Sequence, residues 1–560
     1  MARSTPVSAD IRERHAASLG VAPWLPLLFV LVIFETSWIA FAMGQPPLLP
    51  DEPREAAIAL EMVQSGTWAV PTLNGNPFVE KPPLPYAASA LACRLTGSEA
   101  VGVLRLPQLV ATFATLVALF ALGRRLGGAA AGMTCALLLA TTVEFFRTSL
   151  RLVVDPELLA WTSGAVVATV EWWLAERPAA RAGWWVATCG CLALAVATKG
   201  PVALAYHGSA ALGLLAFGGM AGLARLPGLI AAYLVSLSPL GAWALALFAR
   251  GGWDLVSEAL LRNSWGRFTR AELGHKAPLW FYVKVLPVVL APWTLLALAG
   301  LRTAFHAARD AGIERGRATV LRAALGWAAG SLLILSASAA KRELYLLPAL
   351  PAWTLLAGAV LSDAARADRL EGLPRFVLVT TLAALAAASA AGSFLLPKQD
   401  HPEALLLLLP ALLFGVLVRV AWRRWPALAN PVLFGAIALA AAGAAPWLME
   451  RDAARDSIEA ARNALTQVAD RVDRVYGVGL RERDVSVLSL ALRRRFTELD
   501  DLEKLGGPGA PLAQRTLVVS SGTAPLVLDP DLLEKASVEG VGSAPLGSQR
   551  LFFSTLVKRE

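Results

Sequence analysis

What most limits how this chain can fold is a series of apolar runs long enough to cross a hydrocarbon core, which takes roughly 17–25 residues each. Thirteen such spans can be read along the chain, at 22–43, 101–123, 129–147, 156–175, 183–198, 201–218, 227–249, 279–301, 320–338, 344–361, 375–395, 402–418 and 430–448. Composition agrees. The 560 residues are 56% hydrophobic and only 17% charged, and the mean hydropathy is +0.56. A soluble chain of this length carries more charge and shorter apolar runs. An α-helical polytopic membrane protein follows. The first run is long and has no small-residue cleavage pattern, which predicts a retained span rather than a cleaved signal. The 18 Trp fit interfacial belts or packing between helices. Cys93, Cys135, Cys189 and Cys191 all lie in or beside apolar segments and read as small buried residues, not ligands or a disulfide.

Charge sets the topology. Residues 1–20 hold Arg3, Arg12 and Arg14 and are expected to stay cytoplasmic. The stretch 83–97 is short and interrupted by Arg94, so it reads as a helix lying on the outer surface. With that choice every inside loop is basic: Arg124/Arg125, Arg177/Arg181, Arg225, the cluster from Arg302 to Arg317, Arg366/Arg369, and Arg419 with Arg423/Arg424. Counting 83–97 as a span would put Arg124/Arg125 and the Arg302–Arg317 cluster outside. An odd number of spans then carries the C-terminus to the outer face. Two units are expected: residues 1–449 in the membrane, with an outer loop at 44–100, and a small soluble α/β domain at 450–560. In the latter, 451–474 and 484–495 read as helices, and 475–480, 515–521 and 550–557 as strands.

The outer loops gather charges that defy the positive-inside rule. The longest polar stretch, DEPREAAIALEMVQSGTWAVPTLNGNPFVEKPPLPY from Asp51 to Tyr86, directly follows the first span. Arg147, Arg151 and Asp155, then Lys199, then Asp254 to Lys276, then Lys341, Arg342 and Tyr345 complete the set. An anionic ligand on that face would give these cations a reason. Binding to outer-leaflet headgroups, or flanking of helix ends, explains any single one about equally well.

Each candidate has a local reading beside the chemical one. Asp51-Glu52 suits a general base, a metal ligand or a sugar anchor, and Asp51 before Pro53 also suits a helix N-cap. Glu80-Lys81-Pro82-Pro83 aims a lysine from a stiff backbone toward a phosphate, or makes a mutual Glu80–Lys81 ion pair of little consequence. Asp155-Pro156 again suits a cap. Lys199-Gly200-Pro201 puts a costly cation at a tight reversal between spans. Arg262, Arg267 and Arg270 through His275-Lys276 form a basic outer loop interleaved with aromatics, suited to phosphate and sugar. Membrane location excludes nucleic acid as its partner. There is no GK[ST] phosphate loop and no His-Glu-x-x-His, and the five histidines form no ligand spacing. ATP is therefore not the expected energy source, and an already activated substrate is.

The Asp51–Tyr86 stretch resembles the first outer loop of the bacterial aminoarabinose transferases, which group with dolichyl-phosphate-mannose protein mannosyltransferase-like glycosyltransferases of the GT-C type. RLVVDPELLAW, ATKGPVALA, GRFTRAELGHKAPLWFY and SAAKRELYLLPALPAW resemble later signatures of that family, in the same order. Five motifs over about residues 22–362 agree; beyond that only the architecture matches. The resemblance implies a GT-C fold in a bacterial inner membrane, with a cytoplasmic N-terminus and a periplasmic C-terminal domain. It implies transfer of a sugar from undecaprenyl phosphate to a periplasmic-side acceptor, lipid A or another envelope glycolipid. It also implies roles: Asp51 as the catalytic carboxylate; Arg54, Lys81, Arg267 and Tyr345 on the carrier phosphate, with Arg270 in the same loop; Glu80 and Asp155 on the acceptor or sugar side; Lys199 supporting the cavity. Phe78 stands where the family has an aromatic near the Glu-Lys pair. No cofactor is certain, and a divalent metal ion on Glu80 and Asp155 stays open.

In that scheme the departing polyprenyl phosphate needs cations to stabilise its charge. Asp51 is a base only for a hydroxyl acceptor; for a phosphate acceptor it positions sugar or cation. Alternatives are a protein O-glycosyltransferase of the same fold, a non-catalytic member of it, and a lipid or sugar transporter. A transporter would show repeated halves and midplane charges, which this sequence does not.

Overall fold

The computed structural model describes residues 24–559 apart from 267–268, 270–276, 311, 397–401, 427–428, 457, 508–509, 523–524, 526, 529 and 547–548. Among the described residues, eight helices of at least 18 residues are apolar enough to cross a membrane, or nine with the bent pair Phe281–Val289 and Thr294–Arg309 taken as one span. That number differs from thirteen because several expected spans take other forms. Segments 101–123 and 129–147 lie in Leu106–Ala140, where two helices meet at the non-helical Gly127 and Gly128 and pack against each other, Gly123 against Gly132 and Cys135. Gly128 has φ +79°, a conformation glycine adopts without penalty. Segments 22–43 and 430–448 fall on the shorter apolar helices Leu25–Ala40 and Ala429–Ala442, and 156–175 on Asp155–Leu174, whose first turn carries Asp155 and Glu157. The expected straight span 279–301 bends by 109°. Pro292 lies in the break; it has no N–H to continue the helix and disfavours helical backbone at Ala291.

Small residues let the spans approach closely. On the helices Val202–Leu223 and Arg315–Ala337, Gly213 and Gly326 meet so tightly that a Cβ on either would collide with the other's backbone. Cys93, Cys135 and Cys189 are free and buried, and Cys191 is free and half-buried.

The loop that follows the first apolar helix folds into a compact layer. The helix Glu52–Ser65 starts with proline in its first turn and stops at Gly66 in the left-handed conformation (φ +69°). Strands β1 (Thr72–Leu73) and β2 (Asn76–Pro77) form a hairpin. Its turn is Asn74-Gly75, both with positive φ, the backbone that a two-residue hairpin connection requires. Glu61 holds that hairpin by accepting from Thr72 Oγ1 at 2.8 Å and the Gly75 N–H at 3.0 Å. The helix Leu84–Thr96 follows, at the position of the helix expected over 83–97. It buries Tyr86, Ser89, Ala90 and Cys93 and exposes Leu91 and Leu95 on the opposite side.

Near the C-terminus the expected helix 451–474 is two helices, because Ala429–Asp456 runs on from the last apolar segment and Glu459–Ala469 stands alone. Glu482–Leu492 matches the expected helix at 484–495. Strands β3 (Arg474–Val478), β4 (Thr497–Leu499), β5 (Arg515–Gly522), β6 (Ala536–Leu546) and β7 (Gln549–Lys558) form one sheet in the order β4-β3-β5-β7-β6. The pairs β3/β4 and β3/β5 are parallel, while β5/β7 and β6/β7 are antiparallel. This layer shares its core with the loop that follows the first apolar helix. Ala56, Leu60 and Cys93 belong to the same buried cluster as Leu465, Leu488 and Leu551.

Candidate active site

The helix Glu52–Ser65 and the segment after it bring one buried charge cluster together. Asp51 occupies the N-cap position, but its side chain does not cap the helix. Its Oδ1 accepts from Arg54 Nη2 at 3.1 Å, and its Oδ2 from Arg342 Nη2 at 2.7 Å. Arg54 also pairs with Glu55 at 2.9 Å, and Lys81 Nζ donates to the same Glu55 oxygen at 2.7 Å. Lys81 thus reaches past its neighbour Glu80, and the local Glu80–Lys81 pair does not account for it. Arg54 lies over the Phe78 ring at 5.6 Å from its centroid, and Phe78 meets Tyr86 edge-on at 6.1 Å. That explains an aromatic at 78: it backs the guanidinium with a π face. Glu80 is half-buried, and its charge is felt at the Tyr86 hydroxyl.

Electrostatics keep both carboxylates ionised. Burial alone would push the Asp51 carboxyl up, but Arg54, Arg342 and Lys81 outweigh it and hold the group well below the usual carboxylate range. Burial opposes charge on Glu55 in the same way, and Lys81 and Arg54 again lower its pKa. Burial and the Glu55 charge push the Tyr86 hydroxyl upward, so it stays protonated.

Glu52, adjacent in sequence, has a different job. Its fully buried carboxylate accepts from Arg105 Nη2 at 2.8 Å and from the N–H groups of Leu48 at 2.7 Å and Leu152 at 2.6 Å. Arg105 also donates to the carbonyls of Gln45 at 2.7 Å and Pro46 at 3.3 Å. The pair ties the loop before Asp51 to the chain before Asp155. It is a fastening, not a reactive group.

A second cluster lies beside the first. Asp155 is the first residue of its helix, not a cap, and it pairs with Lys199 Nζ at 2.5 Å. Lys199 ends the helix Pro178–Lys199, where Gly200 takes φ +75°. The lysine also sits over the Tyr345 ring, 4.8 Å from its centroid. Tyr345 is held from behind by Tyr206, whose hydroxyl donates to its carbonyl at 2.8 Å. Arg342 joins the clusters: burial opposes its charge, and Asp51 and then Asp155 outweigh that and raise its pKa. Arg267 and Arg270 lie outside the described residues.

A cavity of about 430 Å³ opens on the Arg342 side of Asp51. Its charged lining is Arg147, Arg151, Lys341 and Arg342 against Asp51, Glu144 and Glu343. Of these, sequence reasoning assigned only Asp51 a site role, although it had grouped the four cations among the outward-facing charges. Asp51, Glu55 and Asp155 are each engaged by a cation, and among the described residues no group of three or more His, Cys, Asp or Glu converges.

The whole chain is similar in fold to ArnT from Cupriavidus metallidurans. The crystal structure of that protein bound to undecaprenyl phosphate matches with a TM-score of 0.67 at 20% identity, covering 95% of this chain and 97% of the other. Its apo form also matches with a TM-score of 0.67, at 19% identity over 94% and 97% of the two chains. Residues 80–249 match the family model for dolichyl-phosphate-mannose-protein mannosyltransferase. Fold and family model point to one class, and the relatives below show it: a membrane glycosyltransferase of the GT-C type. Among relatives, the undecaprenyl phosphate-α-4-amino-4-deoxy-L-arabinose arabinosyl transferase of Pseudomonas aeruginosa (strain UCBPP-PA14) is 30% identical over 394 residues, 67% of each chain. That of Edwardsiella ictaluri (strain 93-146) is 29% identical over 371 residues, 63% of this chain and 62% of its own. The chain belongs to this arabinosyl transferase family.

Proposed function

We propose that this protein transfers 4-amino-4-deoxy-L-arabinose from undecaprenyl phosphate to a phosphate of a lipid A-like glycolipid at the periplasmic face of the inner membrane. The names of the relatives supply the donor, and one observation carries the chemistry: an ionised Asp51 bridged between Arg54 and Arg342 at the wall of a cation-lined cavity. In this reading residues 44–100 form the catalytic loop of a membrane domain ending near 449, and residues 450–560 are periplasmic.

The donor is a phosphodiester with one negative charge. As the bond from the anomeric carbon to the phosphate oxygen breaks, polyprenyl phosphate leaves with the electron pair and a second charge develops. Arg54 and Lys81 oppose that charge, together with Arg267, Arg270 and Tyr345. Fixed cations in a partly dry site stabilise such a transition state far more than water does. Lys81 uses one donor on Glu55 and has two more to offer. The acceptor phosphate attacks the anomeric carbon from the opposite side, inverting it, and gives up one charge as the leaving group gains one. No proton has to move. Asp51 is therefore a catalytic residue through its charge and its hold on the sugar, not as a base. Asp155, with Lys199, shapes the sugar side, and Glu80 lies next to Lys81 on the same wall.

Purified protein incubated with undecaprenyl phosphate-linked aminoarabinose and lipid A tests this directly. Native protein is expected to turn over, with Asp51→Ala and Lys81→Ala reduced by about a hundredfold or more. Equal turnover in all three would remove the assigned site. Sugar transfer to a protein hydroxyl but not to lipid A would replace the acceptor.

A further inference from the structure

We propose that the end of the helix Asp155–Leu174 remote from Asp155 carries a binding site for an anionic phospholipid whose headgroup holds two phosphate diesters. That helix has 20 residues, so it spans about 30 Å and sets the site a hydrocarbon core's thickness away from the Asp51 cluster. The site is independent of the transferase reading.

Three arginines from three other elements converge on the last turn and cap of that helix. Arg225, in the joint between the helices Val202–Leu223 and Leu226–Ser236, donates from Nη1 to the Trp172 carbonyl at 2.8 Å. Arg315, the first residue of the span Arg315–Ala337, donates from Nη2 to the Trp173 carbonyl at 3.3 Å. Arg181, in the first turn of Pro178–Lys199, donates from Nε and Nη2 to the Ala175 carbonyl at 3.3 and 3.1 Å. Arg225 also lies over two indole rings, 5.4 Å from the centroid of Trp172 and 5.2 Å from that of Trp173. The joint is fitted to this pair. Trp185 Nε1 donates to the Gly228 carbonyl at 2.9 Å, and a Cβ on Gly228 would come within 2.8 Å of the Trp172 ring.

Capping a helix accounts for one such cation, not three. A helix C-terminus carries only about half a negative charge, and carbonyls orient guanidiniums without neutralising them. Of the nearby carboxylates, Glu171 pairs with Arg125 at 2.6 Å, and Glu176 meets Arg315 at 3.6 Å from an exposed position. Among the described residues Arg181 and Arg225 pair with no carboxylate, and neither does Arg177, one turn before Arg181. Burial opposes the charge on Arg225, and repulsion from Arg181 and Arg315 adds to it. Loop cations that merely follow the positive-inside rule can spread into water; these are gathered against their own repulsion. Two phosphate diesters offset it, in a basic pocket between spans of the kind that holds such headgroups. The surroundings select a lipid over a soluble phosphate. Trp184, Leu223, Leu226 and Ile230 are exposed around the joint, an indole for the glycerol level and aliphatic side chains for the acyl chains.

The test uses full-length protein stripped of lipid in detergent and titrated with cardiolipin or phosphatidylcholine, with bound lipids counted by native mass spectrometry. Native protein is expected to hold one cardiolipin at least about tenfold more tightly than phosphatidylcholine, and Arg181→Gln or Arg225→Gln to weaken cardiolipin by about tenfold, the value of one charge-assisted hydrogen bond. Arg225→Lys should lose less than Arg225→Gln. The double variant Arg423→Gln/Arg424→Gln removes as much charge as Arg181→Gln/Arg225→Gln but from another basic loop, and should bind like native protein. Equal losses in the two double variants would reduce the effect to diffuse surface charge and overturn the proposal. Native affinity in Arg181→Gln/Arg225→Gln would overturn it too. If Arg225→Gln unfolds, Arg181→Gln, at an exposed position, still decides. Inorganic pyrophosphate that displaces cardiolipin at equal concentration would make the site one for soluble phosphate, which also overturns a lipid site.

Discussion

Asp51 and Glu52 are neighbours with opposite duties. Asp51 meets two arginines on a cavity wall, whereas Glu52 is sealed in with Arg105 and two backbone N–H groups. Their substitutions should therefore differ in kind. Asp51→Asn keeps the shape and loses the charge, and turnover should fall by about a thousandfold, with a smaller loss of thermal stability than Glu52→Gln because Arg54 keeps Glu55 and Glu482. Glu52→Gln leaves a buried Arg105 without its counter-charge, and should cost about 3–5 kcal/mol of stability before activity is considered. Thermal unfolding in detergent, read beside turnover, separates the two, and a stable Glu52→Gln protein would contradict the fastening role. The acid side of the rate profile follows from Asp51 as well. A carboxyl whose folded pKa is depressed contributes its interaction above its unfolded pKa of about 3.9, and loses it only as pH falls through the lower folded value. No limb from Asp51 is expected between pH 5 and 8, and any limb should track the acceptor phosphate near about 6. A limb that stays in place when the acceptor's ionisable group is exchanged would restore Asp51 as a base. Much of this was legible at the level of residue type, since Asp51, Arg54, Lys81, Asp155, Lys199 and Tyr345 stand out as charge or aromatic function where lipid is near. Their partners were not. Arg342 lies 291 residues from Asp51, and Arg105 53 residues from Glu52, so the pairs exist only once the spans are packed.

Between elements, the C-terminal layer braces the loop that carries Asp51, Arg54 and Lys81. Glu482 accepts from Arg54 Nη1 at 2.7 Å, Arg493 pairs with Glu99, and Asn74 Nδ2 donates to the Phe496 carbonyl at 3.0 Å and Glu498 at 2.7 Å. The Phe496 N–H returns a bond to Asn74 Oδ1 at 3.0 Å. Glu482 is a positioning residue for Arg54, acting from a half-exposed site where ion pairs are weak. Glu482→Gln is expected to lower kcat/KM by about twofold to fivefold, mainly through the donor KM. A loss as large as that of Asp51→Asn would mean that Glu482 itself touches substrate. The basis for this bracing was hidden in sequence. Strand β4 is only three residues long, and β6, ASVEGVGSAPL, carries two glycines and a proline that mask its strand character. Strands β3, β5 and β7 were visible because their apolar and β-branched residues run together.

For the molecule as a whole, the apolar runs revealed a polytopic membrane protein. One bend stayed hidden. The loop charges marked the break near Gly127-Gly128 between two spans, but hydropathy averages over a window and cannot register the 109° turn at Pro292 as a change of direction. Close helix contacts are equally silent in a hydropathy plot. Gly326→Leu should overpack the contact with Gly213 and lower the unfolding temperature markedly, as small-to-large changes in tight interfaces do. Unchanged unfolding would show that the two helices can separate. An ionised Asp51 held between Arg54 and Arg342 is what we propose moves a sugar from lipid carrier to glycolipid. Mass spectrometry of lipid A tests it most directly, in cells lacking their own aminoarabinose transferase and expressing either native protein or Asp51→Asn at matched levels. Aminoarabinose-bearing lipid A with the native protein and none with Asp51→Asn is the expected result. Equal modification in both, or unmodified lipid A with native protein while the carrier-linked sugar accumulates, would contradict it.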